Sequence, residues 1–104
     1  FNVTMNESLA VALLTNLLKN AFVHNIDGGH IRITVTKNSI TFRNSGVENP
    51  LDKEHIFERF YQGTKKEGST GLGLAIADSI CRLQHLSIRY YFEQKEHCFE
   101  ISRQ

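Results

Sequence analysis

The sequence predicts a two-layer α+β sandwich, in which helices cover one face of a mixed, mostly antiparallel sheet. Two segments with an apolar residue at every third or fourth position are each followed by two segments in which apolar and polar residues alternate. The chain has 104 residues, of which 40% are hydrophobic, and this length and apolar content suit one domain with its own core. We therefore expect residues 1–104 to form a single domain.

The first helix is predicted over residues 6–25, because apolar side chains recur at every fourth position of this segment. Asn6 is a suitable N-cap, and the pair Gly28-Gly29 ends the helix and opens a turn. The apolar positions are Leu9, Leu13, Leu17 and Ala21. A stripe of this kind indicates a helix that buries one face.

Two antiparallel hairpins are predicted from the alternating segments. The first covers residues 31–42 with a polar turn at residues 37–39, and the second joins residues 87–92 to residues 97–102 through a charged turn. A loop is predicted from residue 44 to residue 51, since the Asn, Ser and Gly at its start are typical of an ordinary turn.

The region between the hairpins is predicted to hold two further helices and a loop. Asp52 is a suitable N-cap for a short, aromatic-rich helix that reaches Phe60. Residues 61–70 contain two glycines and almost nothing to bury, which predicts a mobile loop. Apolar residues at helical spacing then predict a second long helix from about residue 71 to residue 85.

Charge and cysteine usage exclude several classes of function. Lys and Arg number 12 against 11 Asp and Glu, so the net charge of +1 gives no excess to hold nucleic acid, which is not an expected partner. No apolar run is long enough to span a bilayer, and no signal-peptide pattern opens the sequence. Cys81 and Cys98 lack metal-ligand spacing, so we predict buried free thiols in a reducing compartment.

Three polar residues of the first helix form a candidate binding stripe. Asn16, Asn20 and His24 follow one another at intervals of four and therefore line one face of the helix. Asparagine is a mediocre helix former, so its repetition calls for a reason. Amide oxygens can complete the coordination of a Mg²⁺ whose other ligands are phosphates and waters. The alternative is a solvated helix edge that happens to be rich in amides.

A second candidate site lies where the second helix begins. Gly71-Leu72-Gly73 costs helix propensity, but it lets a phosphate approach backbone N–H groups at the positive end of the helix dipole. Lys65 and Lys66 precede it in the predicted mobile loop. The pattern is short, and it matches neither a Walker loop nor a dinucleotide-binding unit, so alone it is weak support for a phosphate site.

Three of these segments, in this order, resemble the N-box, F-box and second glycine box of the ATP-binding domain of sensor histidine kinases. They are residues 16–21 (NLLKNA), 56–61 (IFERFY) and 71–76 (GLGLAI). These kinases share a superfamily with Hsp90 chaperones, MutL proteins and type II topoisomerases. The resemblance implies their Bergerat-type fold, with ATP between the first helix and a lid formed by residues 61–70.

The resemblance also implies roles for individual residues. Asn20 matches the family's Mg²⁺ ligand, and Asn16 matches the other N-box asparagine beside the triphosphate, so these two residues are the expected catalytic pair. His24 matches a position near the phosphates that Tyr or His usually fills. The full set of residues expected to bind ATP, including two lysines of the lid, is completed by Asn44, Gly46, Lys65, Lys66, Gly71, Leu72 and Gly73.

Four departures from the family pattern leave a second interpretation open. Asn44 stands where the family has an adenine-binding aspartate, and it can accept a hydrogen bond but lacks the charge. Glu48 replaces a glycine, while Val23 and Gln62 replace a lysine and an arginine that meet phosphate. A degenerate nucleotide-binding or regulatory module of the same fold is therefore the main alternative. A serine-kinase anti-sigma factor is a third, against which the F-box argues.

The resemblance implies that the γ-phosphoryl group of Mg-ATP passes to a histidine on a separate dimerisation domain of the same protein, then to a response regulator. None of the five histidines lies in a phosphoacceptor context, so this chain alone is expected to bind nucleotide only. We expect a fragment that starts at the edge of the fold and lacks the dimerisation region. The parent is expected to be a homodimer with this domain in the cytoplasm, and its anchorage in the inner or plasma membrane stays open.

Overall fold

A computed structural model describes residues 3–46, 50–51, 54–58 and 72–104. In chain order its elements are α1 (Glu7–Val23), β1 (Ile31–Val35), β2 (Ser39–Ser45), α2 (Gly73–Leu83), β3 (Leu86–Glu93) and β4 (Glu96–Arg103). The strands form one sheet in the order β1-β2-β4-β3. The α+β prediction is confirmed. Among the described strands the sheet is wholly antiparallel rather than mixed, because β2 and β4, which join the two hairpins, also run antiparallel.

The start of α1 lies where the capping pattern predicts it. The Asn6 side-chain oxygen accepts hydrogen bonds from the N–H groups of Ser8 at 2.8 Å and Leu9 at 3.4 Å, which satisfies two donors that the first turn cannot pair internally. The helix ends at Val23, and His24 occupies its C-cap. The predicted N-cap is therefore confirmed, and the predicted end is about two residues too late.

The core lies between the helices and one face of the sheet. The register places Phe42 opposite Phe99 and Phe99 opposite Tyr90, so these three rings form a row across three strands. The buried core residues are Leu13, Leu17, Phe42, Ile56, Ala77, Ile80, Cys81, Leu86, Tyr90, Phe99 and Ile101. Both helices thus bury their apolar stripes against alternate residues of β2, β3 and β4.

The opposite face of the sheet, called the far face below, is polar. Arg89 donates a hydrogen bond to Glu100 at 2.7 Å, and Arg43 donates one to Thr34 at 3.0 Å. Cys98 lies on this face, yet it is fully buried, and Cys81 is fully buried on α2. Both thiols are free, as the sequence predicts. None of the helices in the described residues combines the length and hydropathy needed to cross a bilayer.

Several predicted boundaries are corrected. β2 continues through Ser45, two residues into the predicted loop. The Ser45 N–H group donates to the His30 carbonyl at 3.1 Å, and Ser45 pairs with Glu96 of β4. Residues 54–58 form turns and a bend rather than a helix, and the predicted cap Asp52 and Phe60 lie outside the described residues. α2 begins later and ends earlier than predicted, with Gln84 as its C-cap.

The second hairpin is longer than predicted and has a two-residue turn. Gln94 and Lys95 both adopt positive φ angles, 52° and 62°, which match the twist that two-residue hairpin turns require. The strands on either side therefore pair up to Glu93 and Glu96, which lie opposite each other.

Candidate functional site

Asn16 lies on α1 at the point where this helix meets the start of α2. Its Nδ2 donates to the Ala12 carbonyl at 2.8 Å, so the amide group is oriented by its own helix. A Cβ atom built on Gly73 would lie 3.2 Å from the Asn16 side-chain oxygen, which is tighter than most real contacts. The fold thus brings together two residues from separate predicted motifs, and the approach is close because residue 73 has no side chain.

Asn20 and His24 continue the stripe toward the end of α1. The Asn20 side chain is half-buried, and it makes no hydrogen bond to any described residue. The Asn20 carbonyl accepts the N–H group of His24 at 3.1 Å, which closes the last turn of the helix. The amide of Asn20 therefore keeps its full capacity to bind a ligand, and its oxygen is a hard donor of the type that Mg²⁺ takes.

The start of α2 is suited to phosphate binding. Leu72 occupies the N-cap position and makes no side-chain cap hydrogen bond. No side chain at this position therefore meets the first-turn N–H groups, which carry the positive end of the helix dipole and can donate to an anion. Gly73 lies next to Asn16, and Leu72 is the residue directly before the helix. The predicted partners Gly71, Lys65 and Lys66 lie outside the described residues.

Asn44 is a buried residue of β2 rather than a loop residue. It is only 2% exposed, and its Nδ2 donates to the Ser45 carbonyl at 2.7 Å. Its side-chain oxygen accepts no hydrogen bond from any described residue. The amide is therefore held so that an acceptor is left for a ligand, as an amino group of a nucleobase would require.

Gly46 lies where the end of α1 meets the end of β2. A Cβ atom at this position would stand 2.9 Å from the His24 carbonyl oxygen and 3.0 Å from the His97 ring. Among the described glycines only Gly28 has a positive φ, so residue 46 is a glycine for lack of space rather than for an unusual backbone angle. The same contact brings the backbone of His24, for which the resemblance implies a position near the phosphates, beside Gly46 instead.

The link between α1 and β1 is tied to β2 by a cluster that the sequence motifs do not mark. Ser45 Oγ donates to Asn25 Oδ1 at 2.5 Å and accepts the His30 N–H group at 2.7 Å. A Cβ atom on Gly29 would collide with both Ser45 Oγ and Asn25 Oδ1. This cluster supports the backbone beside Asn44, and no sequence motif indicates it, because its members come from two segments that are distant in sequence, the link between α1 and β1 and the end of β2.

Tyr90 and His97 are two further buried polar residues that no motif marks. Tyr90 Oη lies 2.7 Å from His97 Nδ1, and His97 pairs directly with Asn44 across β4 and β2. The alternation of β3 and β4 is the one sequence signal that could have placed them, since it directs both residues toward the helices.

Glu96 carries the buried charge nearest to this end of the sheet. The hydrogen bond from Arg32, at 2.6 Å, outweighs burial and holds the pKa of Glu96 below its ordinary value. His30 adds a second contact at 2.7 Å. The negative charge is thus compensated by residues of β1 and of the segment before it.

Comparisons with known proteins agree with this geometry. Residues 5–102 match the family described as histidine kinase-, DNA gyrase B- and HSP90-like ATPase. The chain is 43% identical over 84 residues to sensor histidine kinase RppB of Synechocystis sp., covering 72% of this chain and 18% of that protein. It is 38% identical over 94 residues to heme sensor protein HssS of Staphylococcus aureus, covering 86% of this chain and 21% of that protein. The chain thus spans about a fifth of these relatives.

Two solved structures share the fold. The mycobacterial sensor histidine kinase MprB superimposes with a TM-score of 0.81 at 21% identity, over 97% of this chain and 77% of that one. A nucleotide-free form of the catalytic domain of histidine kinase ThkA gives a TM-score of 0.78 at 27% identity, over 95% of this chain and 68% of that one. The arrangement of helices and sheet described above is therefore that of histidine kinase catalytic domains.

Proposed function

The chain belongs to the family of histidine kinase-, DNA gyrase B- and HSP90-like ATPases, and from this premise we propose that it is the Mg-ATP-binding catalytic domain of a two-component sensor histidine kinase. The observation that carries the proposal is the contact between Asn16 and Gly73, which joins the stripe of α1 to the start of α2. Such a junction offers amide oxygens and backbone N–H groups to the same ligand.

The phosphates are proposed to lie at this junction. Asn20 supplies a hard oxygen ligand to the metal, and Asn16 lies one turn away beside the start of α2. The first N–H groups of α2 then donate to phosphate oxygens. Mg²⁺, when bound, neutralises charge on the β- and γ-phosphates. Lys65 and Lys66 are proposed to add positive charge from the lid.

The nucleobase is proposed to lie at the other end of the stripe. The Asn44 side-chain oxygen accepts a hydrogen bond from the adenine amino group, and Gly46 and the backbone of His24 adjoin it, so His24 is proposed here at the nucleobase rather than at the phosphates. With the nucleobase and the phosphates of ATP both bound, the domain positions the γ-phosphorus for attack by a histidine nitrogen. An N–P bond forms as the bond to the β-phosphate oxygen breaks, so the chain contributes positioning and charge compensation rather than a nucleophile.

The partners follow from this role. Because the chain spans about a fifth of its curated relatives, we propose that the phosphoacceptor histidine lies on a dimerisation domain elsewhere in the same protein. The parent would then be a homodimer that passes the phosphoryl group to an aspartate of a response regulator. The domain is proposed to work in the cytoplasm, whether or not the parent is anchored in the inner or plasma membrane.

A degenerate, regulatory module is the second candidate, and Asn44 is the observation that favours it. A hydrogen bond to a charged group contributes about 1.5–3 kcal/mol against about 0.5–1.5 kcal/mol for a neutral one, so the absent carboxylate weakens adenine binding. The other departures, at Glu48 and Gln62, lie outside the described residues. Val23 is half-buried at the end of α1 and supplies no cation there.

Calorimetric titration of the 104-residue chain with a non-hydrolysable ATP analogue and Mg²⁺ tests the proposal. We expect saturable, Mg²⁺-dependent binding for the wild type. Dissociation constants above about 1 mM, equivalent to less than about 4 kcal/mol of binding free energy, would favour the degenerate module.

Asn20→Ala identifies the metal ligand in the same titration. It should weaken Mg²⁺-dependent binding by at least about 10–100-fold, because loss of a direct ligand costs no less than loss of an outer-shell partner. The midpoint of thermal unfolding should stay nearly unchanged, since the Asn20 side chain has no hydrogen bond to a described residue that could be lost. Asn38→Ala, in the exposed turn after β1, is the matched control. Wild-type affinity in Asn20→Ala would remove this residue from the site.

A further inference from the structure

Tyr90 and His97 form a buried pair that lies beneath the proposed nucleobase end of the site. Tyr90 is 5% exposed and His97 is 4% exposed, and their rings stack with centroids 5.9 Å apart. His97 lies opposite Asn44 in the register of β2 and β4. The pair therefore occupies the same face of the sheet as Asn44, the residue proposed to bind adenine. Two polar side chains buried this deeply normally have a structural or functional reason.

The pair contacts both ends of the connection that runs from residue 46 to residue 51. On one side, a Cβ atom on Gly46 would approach the His97 ring to 3.0 Å, so the backbone there lies directly against the imidazole. On the other side, the Leu51 N–H group donates to the Tyr90 hydroxyl oxygen at 3.0 Å. Since the hydroxyl and His97 Nδ1 are 2.7 Å apart, one hydrogen-bonded unit holds both segments.

We propose that Tyr90 and His97 are positioning residues for nucleobase binding: together they fix the strand end that carries Asn44 and Gly46 relative to the segment that begins at Leu51. The proposal rests on the function proposed above. It goes beyond it, because neither residue belongs to the N-box, the F-box or a glycine box. The phosphate end, at Asn20 and Gly73, is positioned by α1 and α2 and does not depend on the pair.

The proposal predicts a selective defect. Tyr90→Phe keeps the ring and its packing but removes the hydroxyl that joins Leu51 to His97, so the nucleobase end should loosen while the phosphate end stays intact. We expect Mg-ATP affinity to fall on the order of tenfold, because the binding site loses stabilisation equal to the free energy of about one hydrogen bond. The affinity for Mg²⁺-tripolyphosphate, which has no base, should stay within about twofold of wild type.

The experiment is a titration of the 104-residue chain with both ligands. Tyr91→Phe is the matched control, since it makes the same change on the next residue of β3, which points to the far face. His97→Asn retains polar atoms near the position of Nδ1 and should keep most of the ATP affinity, whereas His97→Leu should behave like Tyr90→Phe. This comparison separates the hydrogen bond from the volume of the side chain.

The outcomes distinguish this proposal from the proposed function. Normal ATP binding by Tyr90→Phe, or an equal loss of both ligands, overturns the positioning role while the wild-type titration still supports nucleotide binding. Equal behaviour of His97→Asn and His97→Leu overturns the role of the hydrogen bond. A wild-type chain that binds neither ligand overturns the proposed function, and the positioning role with it.

Discussion

Asn44 occupies a buried position where an amide and a carboxylate have opposite consequences. Its Nδ2 donates to the Ser45 carbonyl at 2.7 Å, and a carboxylate has no hydrogen to donate there. An aspartate at this position would hold two acceptor oxygens together at a site that is 2% exposed. Leaving buried acceptors unsatisfied costs about 1–3 kcal/mol, so the amide suits the ligand-free fold.

Asn44→Asp should therefore lower stability and tighten ATP binding. We expect the free energy of unfolding without ligand to fall by about 1–3 kcal/mol, for the reason just given. The dissociation constant of Mg-ATP should decrease about tenfold, because a charged acceptor makes a hydrogen bond of about twice the strength to the adenine amino group. Chemical denaturation and calorimetric titration measure the two effects.

Mg-GTP is the matched control ligand for this variant. Guanine presents an acceptor oxygen where adenine presents an amino group, so a carboxylate at position 44 should not improve GTP binding. An equal gain for both nucleotides, or weaker ATP binding, would contradict the placement of the base against Asn44.

At the scale of the secondary-structure elements, Glu96 joins two strands that are not neighbours. It starts β4, and it binds Arg32 of β1 through two hydrogen bonds, of 2.6 Å and 3.2 Å, while β2 lies between the strands. His30 contacts the same carboxylate at 2.7 Å. The Arg32 hydrogen bond lowers the pKa of Glu96 against the opposing effect of burial. The edge strand β1 is thereby attached to the interior of the sheet.

This contact should make stability depend on pH with a definite sign. The pKa of Glu96 is lower in the folded state than in the unfolded state, so the contribution is complete above the unfolded pKa of about 4.3 and disappears as pH falls through the folded pKa. Glu96→Gln should lower the free energy of unfolding by about 1–3 kcal/mol at pH 7, and the deficit should shrink below pH 4. Urea unfolding at several pH values measures it.

Glu93→Gln provides the comparison for that series. Glu93 faces Glu96 across the turn of the β3–β4 hairpin, but it is exposed, so its replacement should change stability by less than about 0.5 kcal/mol at every pH. A Glu96→Gln deficit that persists unchanged to pH 3 would indicate lost packing rather than the lost charge.

Local sequence signals predict the start of α1 but not the end of β2. α1 was predictable because its N-cap and apolar stripe are local features, and the contact of Asn16 with Gly73 agrees with the family resemblance. The end of β2 was not predictable, since Asn44 and Ser45 are polar and the Ser45 hydroxyl is bound by residues of a distant segment, Asn25 and His30.

The same reason explains the residues of the site that were missed. Tyr90 and His97 satisfy each other across a hairpin, and Leu51 joins them from a segment far along the chain. Such pairings depend on tertiary structure, so no periodicity or capping rule can reveal them. Sequence motifs therefore indicate the residues proposed to bind the phosphates, but they miss the pair proposed to position the nucleobase end.

At the scale of the whole molecule, the two thiols lie in different layers of the fold, one on a helix and one on the sheet. Cys81 lies in the core on α2, and Cys98 lies on the far face of β4, yet both have no exposed surface. Burial raises the pKa of Cys81 to about 11 and also raises the pKa of Cys98. Because the thiolate is the reactive form, both groups should be inert in the native state near pH 8.

We expect alkylation of Cys81 and Cys98 to proceed together and only through global unfolding, because a domain of this size unfolds cooperatively. If Mg-ATP binds the native state as proposed, saturating ligand should slow labelling by a factor of 1 + [L]/Kd, or about 100-fold at 100 times Kd. Mass spectrometry of timed samples counts the labelled thiols, and labelling in guanidinium chloride gives the fully reactive reference. Early labelling of Cys98 alone would indicate that the far face opens locally. Protection that needs Mg²⁺ and disappears in Asn20→Ala would connect the nucleotide site to the stability of both layers.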